Sequence, residues 1–371
     1  MAGRRPGRSP ASADLHAARV ATARRRLNEV LGHRLVMYRR ELERQVCEVG
    51  FDYRTAPPED RPEPHHFSEA MRLAIADKKV SEHKVQIRGN PYLFWSWSST
   101  RRGALEAHLR RKVEALEVFL GVEMVPEVSG WHAELIHHTA LVSTPGWLSV
   151  GWHRGSKITN LGSHRVEDSR KADADIAGHH QASGIPFVVQ VKNGREWFYP
   201  PDQVVWHLLG TAAQLHAVPI LIARRLPERL FTLMKLVGGF GFQSLKMILP
   251  EEVPEPEGAP NAPSFAQAIR TLGFHSDIDF ISDPLPRHKA LWSGIVNEEI
   301  GATYERFLSF RLRVLDLAYD GRLSAGRGKS EERRRKVDAF MEEMRETLRA
   351  EGLERHKQEV TGEDPGPDLE I

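Results

Sequence analysis

The chain has 371 residues, 40% of them hydrophobic, enough for two or three domains with a sizeable core. Its 52 Lys and Arg against 50 Asp and Glu leave a formal charge of +2, so overall polarity selects neither nucleic acid nor membrane as a partner. The single cysteine, Cys47, excludes an internal disulfide framework and zinc sites built from paired cysteines; no run reaches the ~20 apolar residues of a membrane helix, so a soluble cytoplasmic protein is expected.

The first 45 residues hold eleven Arg, no Lys and four acids. A phosphate-binding arm is one reading. Arg outnumbers Lys 39 to 13 over the whole chain, however, so a general compositional bias also accounts for the segment. The stretch "RLNEVLGHRLVMYRRELERQV" predicts an amphipathic helix, and residues 1–54 are expected as a basic helical N-terminal region. Residues 55–124 should contain a linker, short strands and a helix. Within them "TAPPEDRPEPHH" predicts a loop, and "HKVQIRGNPYLFWSWSS" predicts strands turning at Asn90-Pro91. The segment 103–120 sets Leu105, Leu109, Val113, Leu116 and Leu120 on one face of a helix.

A helix is expected over Trp131–Leu141, followed by short strands and turns up to about residue 170. Next comes "KADADIAGHHQASGIPFVVQVKNG", residues 171–194, where Lys192 ends an otherwise apolar run. If Gly178 pairs with Phe187 across the eight-residue loop "HHQASGIP", antiparallel register sets Asp175 opposite Gln190 and Asp173 opposite Lys192. All four then share a face, with Phe187, Val189 and Val191 on the other. One account is an ion pair at a sheet edge, with Asp173 neutralising Lys192. The other is a metal site, because a carboxylate and a side-chain carbonyl are the hard oxygen ligands that Mg²⁺ takes. A lysine beside such an ion can hold a water for attack on phosphorus.

Downstream, "PPDQVVWHLLGTAAQLHA" predicts a helix opening on proline, and "VPILIARRL" a buried strand. Strand, helix, strand in that order is a right-handed crossover between parallel neighbours. Residues 251–264 are an acidic, Pro-rich linker, 265–360 a helical C-terminal region and 361–371 a disordered tail. In the C-terminal region, 295–319 and 330–358 are helical; the second is so charged that a solvated or coiled-coil arm is expected. "SAGRGKS" lacks phosphate-loop spacing and predicts a hinge. "HSDIDFISD", with no lysine tripeptide after it, predicts an edge strand. His132, His137 and His138 lack the HExxH spacing of a zinc site.

The run "KADADIAG" followed by "FVVQVKNGREWFYPPDQVVWHLLGTAAQLHAVPILIARRL" resembles the core of the restriction-endonuclease-like, or PD-(D/E)xK, nuclease superfamily. It is similar to the catalytic domains of modification-dependent restriction enzymes and to archaeal-type Holliday junction resolvases. The resemblance covers residues 125–250. It implies an α/β fold, a mixed sheet flanked by helices, with helical N- and C-terminal regions outside it. The activity implied is Mg²⁺- or Mn²⁺-dependent hydrolysis of DNA phosphodiesters, by a homodimer or with a partner subunit. In these terms Asp175 is the metal-binding acid, Gln190 stands where the family has its second acid, and Lys192 is the lysine that assists the attacking water. Glu134, in "SGWHAELIHH", falls where the family's first helix often carries a glutamate, as a further metal ligand. Asp173 is an auxiliary acid, able to supply the charge Gln190 lacks. The Gln190 departure supports an alternative: a catalytically degenerate subunit that binds DNA or assembles a complex. His179 and His180, in the expected loop, and Arg224 and Arg225, after the buried strand, are candidate DNA contacts.

Overall fold

The computed structural model describes residues 10–48, 57–152, 157–168, 172–253, 262–295, 297–319 and 327–350. They fall into two compact units, one drawn from Met1–Met124 and Pro254–Ser276, the other from Val125–Val253 and Asp277–Ile371. One division between them falls between Met124 and Val125. The C-terminal region expected as one piece is instead shared between the units. Most of the acidic linker, the tail and residues 324–326 of the expected hinge lie outside the described residues, while 327–330, expected as the rest of that hinge, are helical.

The first unit begins with α1 (Pro10–His33), β1 (Met37–Tyr38), α2 (Arg39–Cys47), α3 (Pro64–Ala76), β2 (Val80–Ile87), β3 (Asn90–Trp97) and α4 (Arg102–Glu123). Its three strands are antiparallel in the order β1-β3-β2. The single helix expected over 26–46 is broken, because Met37 and Tyr38 pair with Trp95 and Phe94. Val36, Met37 and Tyr38 are all buried, and packing of these β-formers overrides the helical period. The hairpin turns at Arg88-Gly89, both with positive φ (51° and 78°), and not at Asn90-Pro91. Pro91 lies inside β3 where that strand has a partner on one side only, so its missing N–H costs nothing. The N-terminal arginines are tied internally: Arg19 Nε donates to the Pro58 carbonyl (2.8 Å), and Arg26 to those of Val46 (3.0 Å) and Asp60 (3.2 Å).

The second unit holds α5 (Pro126–Ser129), α6 (Trp131–Val142), β4 (Trp147–Trp152), β5 (Asn160–Leu161), β6 (His164–Arg165), β7 (Ile176–His180), β8 (Pro186–Lys192), α7 (Gln203–Leu215), β9 (Val218–Ala223), α8 (Glu228–Val237), β10 (Phe240–Gln243) and β11 (Met247–Leu249). After α9 (Phe265–Thr271), which belongs to the first unit, come β12 (Ile278–Phe280), α10 (Pro286–Ser293), α11 (Asn297–Tyr319) and α12 (Arg327–Ala350). The main sheet has five strands in the order β10-β9-β8-β7-β4. β4, β7 and β8 are antiparallel and β8, β9 and β10 parallel, with α7 as the expected crossover. Helices cover both faces: α7, α8, α11 and α12 pack beside Ala177, Val188 and Leu221, while α6 and α10 pack beside Ile176, Val189 and Ile220. The unit is therefore an α/β layer structure with a mixed sheet.

Two expectations for this unit are corrected. α7 starts at Gln203 rather than on proline, with Asp202 before it accepting the Tyr199 N–H at 2.6 Å. α12 is not a solvated arm. Val337, Phe340, Met341, Met344 and Leu348 form a buried stripe, and the Phe340 ring meets Trp206 edge-on at 5.8 Å. That stripe is hidden in the sequence among charged neighbours, because a helix needs only a narrow apolar face to dock. Among the described residues, no helix is long and apolar enough to cross a membrane.

Candidate functional site

The site is built on the β7–β8 hairpin, whose register is the expected one: Gly178 faces Phe187 and Ile176 faces Val189. Only glycine fits at 178. A Cβ there would stand 2.1 Å from the Leu148 carbonyl oxygen and 2.5 Å from the Phe187 ring. The connection is tighter than expected, residues 181–185, closed by the His180 N–H on the Ile185 carbonyl at 2.9 Å, with Gly184 at φ 67°. The pairing continues past the strand end, where the Asp175 N–H donates to the Val189 carbonyl at 2.8 Å. Asp175 thus comes to lie beside Gln190.

Asp175 is 1% exposed, and each of its carboxylate oxygens has partners. Oδ2 accepts the Val191 N–H (2.8 Å) and the Gln190 Nε2 (2.6 Å); Oδ1 accepts Lys157 Nζ (2.5 Å). The carboxylate dictates the amide's orientation, turning Gln190 Nε2 toward it and Oε1 away. Gln190 is 1% exposed and its Oε1 has no hydrogen-bond partner. A buried carbonyl oxygen without a partner is a hard donor of the kind a divalent cation takes, and the neighbouring carboxylate could join it once the Gln190 amide turns and Lys157 withdraws.

Asp173 is buried too. Its Oδ1 lies 3.2 Å from Lys157 Nζ and 3.4 Å from Lys192 Nζ, and its N–H donates to Thr211 Oγ1 at 3.1 Å. Two carboxylates and two ammonium groups therefore alternate across the end of the hairpin. Burial works against the charge of Lys157, but Asp175 and Asp173 outweigh it and hold its pKa above the usual lysine range.

Glu134 comes from the first turn of α6, whose Ala133, Ile136, Ala140 and Leu141 pack against the sheet. Burial first, and then the charge of Asp175, push the Glu134 carboxyl up to about 7, against the opposing pull of Lys157, Lys192 and the Trp152 indole. The Trp152 N–H influences Glu134 without reaching good hydrogen-bond geometry. Asp175, Gln190, Lys192, Glu134 and Asp173 are thus brought into one electrostatic neighbourhood.

The four candidate DNA contacts are placed differently. His179 and His180 belong to β7, not to a loop. His180 is buried, with its Nδ1 at Ser183 Oγ (2.8 Å) and its ring edge-on to Trp147 at 5.3 Å, so it is packed inside and cannot meet a phosphate at the surface. His179 is half-buried beside the Gly184 carbonyl, at the turn end of the strand and away from Asp175. Arg224 follows β9 directly, at the same strand end as Lys192, but is 2% exposed and so is not a surface contact either. Arg225 is half-buried. Asp277 pairs with Arg195 at 3.1 Å, and Asp279 with Lys246 at 3.0 Å and with Arg287, which fits the structural strand expected there.

Two residues that carry this site have no sequence signal. Lys157 is contributed by the segment between β4 and β5, which no motif connects to the hairpin. Asn193 follows Lys192 and pins the strand end: its Nδ2 donates to the Ser129 (2.5 Å) and Ile248 (2.6 Å) carbonyls, and its Oδ1 accepts the Ile248 N–H (2.7 Å). It so joins β8 to β11 and to α5, the turn just ahead of the helix that bears Glu134. Comparison with protein-family models, with curated proteins and with solved structures finds no match to this chain.

Proposed function

We propose that the chain is a metal-dependent DNA endonuclease of the restriction-endonuclease-like type, hydrolysing phosphodiester bonds. The observation that carries this reading is the convergence of Asp175, Gln190 and Lys192 at the end of the hairpin, with a buried Gln190 Oε1 that has no hydrogen-bond partner. Asp175, Gln190 Oε1 and Glu134 would hold Mg²⁺ or Mn²⁺. When bound, the ion would supply Lewis-acid charge to the phosphate and to the attacking water. Lys192 would orient that water. Asp173 holds both ammonium groups in place. With one site per chain, cutting both strands of a duplex calls for two copies or a partner subunit.

The test is incubation of the purified chain with plasmid DNA and Mg²⁺ or Mn²⁺. Cleavage is expected, and its loss in both Lys192→Ala and Asp175→Ala. Cleavage that survives both changes would sink the proposal.

A second reading, a degenerate nuclease-fold subunit that binds DNA or assembles a complex, is favoured by specific observations. An amide stands where the family has an acid, Lys157 holds Asp175 Oδ1, and the carboxylates form no tight trio of ligand atoms among the described residues. DNA binding without cleavage under either metal, unaffected by Lys192→Ala, would select it.

A further inference from the structure

The first unit carries a cluster that the nuclease reading does not use. His16 on α1 meets His65 and His66 at the start of α3, and one ring nitrogen from each lies within 4.8 Å of the other two. The ring centroids of His65 and His66 are 3.7 Å apart, those of His16 and His66 5.0 Å. Two carboxylates flank the group: Glu69 Oε2 is 3.0 Å from His16 Nε2, and Glu63 Oε2 is 3.4 Å from His65 Nδ1. Metal-bound imidazoles commonly keep such a partner on their second nitrogen.

A helix start accounts for part of this. The Glu63 N–H donates to His66 Nδ1 at 3.0 Å, so His66 serves as a capping residue for α3. Capping does not explain why α1 sends a third imidazole to the same point, 49 residues earlier in the chain. Three imidazoles so close repel one another once protonated. His66 itself is 2% exposed, its ring held between those of His16 and His65.

We propose that His16, His65 and His66 form a binding site for a borderline divalent transition metal, Zn²⁺ or its chemical equivalents Co²⁺ and Ni²⁺, that clips α1 to α3. Nitrogen donors select this class of ion and not the hard Mg²⁺ or Mn²⁺ suited to Asp175 and Gln190. Glu69 or Glu63 supplies a fourth donor or orients the rings. Because His66 Nδ1 accepts the Glu63 N–H, its neutral ring carries the proton on Nε2. Coordination through Nε2 therefore moves the ring proton to Nδ1, and coordination through Nδ1 displaces the Glu63 N–H; either route exchanges the capping hydrogen bond for a metal–imidazole bond and leaves the ring neutral.

The experiment is a Co²⁺ titration of the untagged full chain at neutral pH, read by visible absorption, with a Zn²⁺ thermal-shift series alongside. One equivalent of Co²⁺ should give the intense bands of a four-coordinate centre, Zn²⁺ should displace it, and Zn²⁺ should raise the melting temperature. The half-exposed His16→Ala and exposed His65→Ala variants, which bury nothing large, should each weaken binding by roughly tenfold or more. Asp175→Ala should leave the cobalt spectrum unchanged. Absence of a stoichiometric spectrum, or a spectrum that persists in both histidine variants, overturns the proposal. So does a spectrum lost in Asp175→Ala, since the metal would then belong to the hairpin.

Discussion

The hairpin cluster and the histidine cluster are assembled in opposite ways. Around the β7–β8 hairpin, oxygen donors and ammonium groups are set by strand register, so Asp175 and Gln190 meet because Gly178 meets Phe187. Around α1 and α3, imidazoles are brought together by helices distant in sequence, and nothing local places His16 beside His66. The first arrangement suits hard cations and proton transfer; the second suits borderline metals. A chain can therefore carry both donor classes without competition, provided each is fixed by a different kind of element.

The largest expected effect breaks the first cluster alone. Asp175→Ala should reduce any metal-dependent cleavage by about 10³-fold or more, measured as plasmid nicking, because it removes both a proposed ligand and the anchor of Gln190. Next, Gly178→Ala should destabilise the protein by about 3 kcal/mol in urea unfolding, since the new Cβ must displace the Leu148 carbonyl or the Phe187 ring. An unchanged unfolding midpoint would mean that the strands yield and that register is not pinned there.

A subtler change separates placement from chemistry. Asn193→Ala strips three hydrogen bonds from the end of β8 and should cost about 2 kcal/mol. It should lower cleavage about tenfold with little change in the metal concentration required, because it loosens the Lys192 end of the strand without removing a ligand.

A change of pH tests the second unit without touching the hairpin. Burial lowers His137 to about 3 and His288 to about 4, their neighbours adding to it, and the two rings stand edge-on at 5.3 Å in the second unit. With folded values below the unfolded value near 6.5, both contribute stability that is complete above pH 6.5 and is lost as pH falls toward 3. The unfolding free energy from urea titration should decline below pH 6.5, by roughly 1 kcal/mol per pH unit for each histidine. His137→Leu should reduce that slope by about half, and a slope identical to the parent's would show that His137 is protonated at no cost.

How much of this was legible in the sequence follows from the same contrast. Period-two alternation and one small residue were enough to place Asp175 opposite Gln190, because strand pairing transmits register without error. The turn at Arg88-Gly89 was missed because Asn90-Pro91 is the louder signal, although positive φ at two positions is what a tight hairpin needs. Lys157 and Asn193 were invisible for another reason. Each acts across elements whose meeting depends on the packed core, and no local period encodes that. The same holds for α12, whose five buried apolar side chains are outnumbered by charges in the sequence but sit on one stripe.

The tight hairpin connection has a practical consequence. Ala182 is exposed at its tip, while Asp175 and Lys192 are at the opposite end of the strands, about 20 Å away at the rise of an extended chain over Pro186–Lys192. The native thiol, Cys47, is buried, and burial pushes its pKa well up, leaving it a poor nucleophile. Ala182→Cys would thus accept a fluorophore at a single chosen point, close enough to report on the proposed binding of DNA at the acids and far enough to leave their geometry alone.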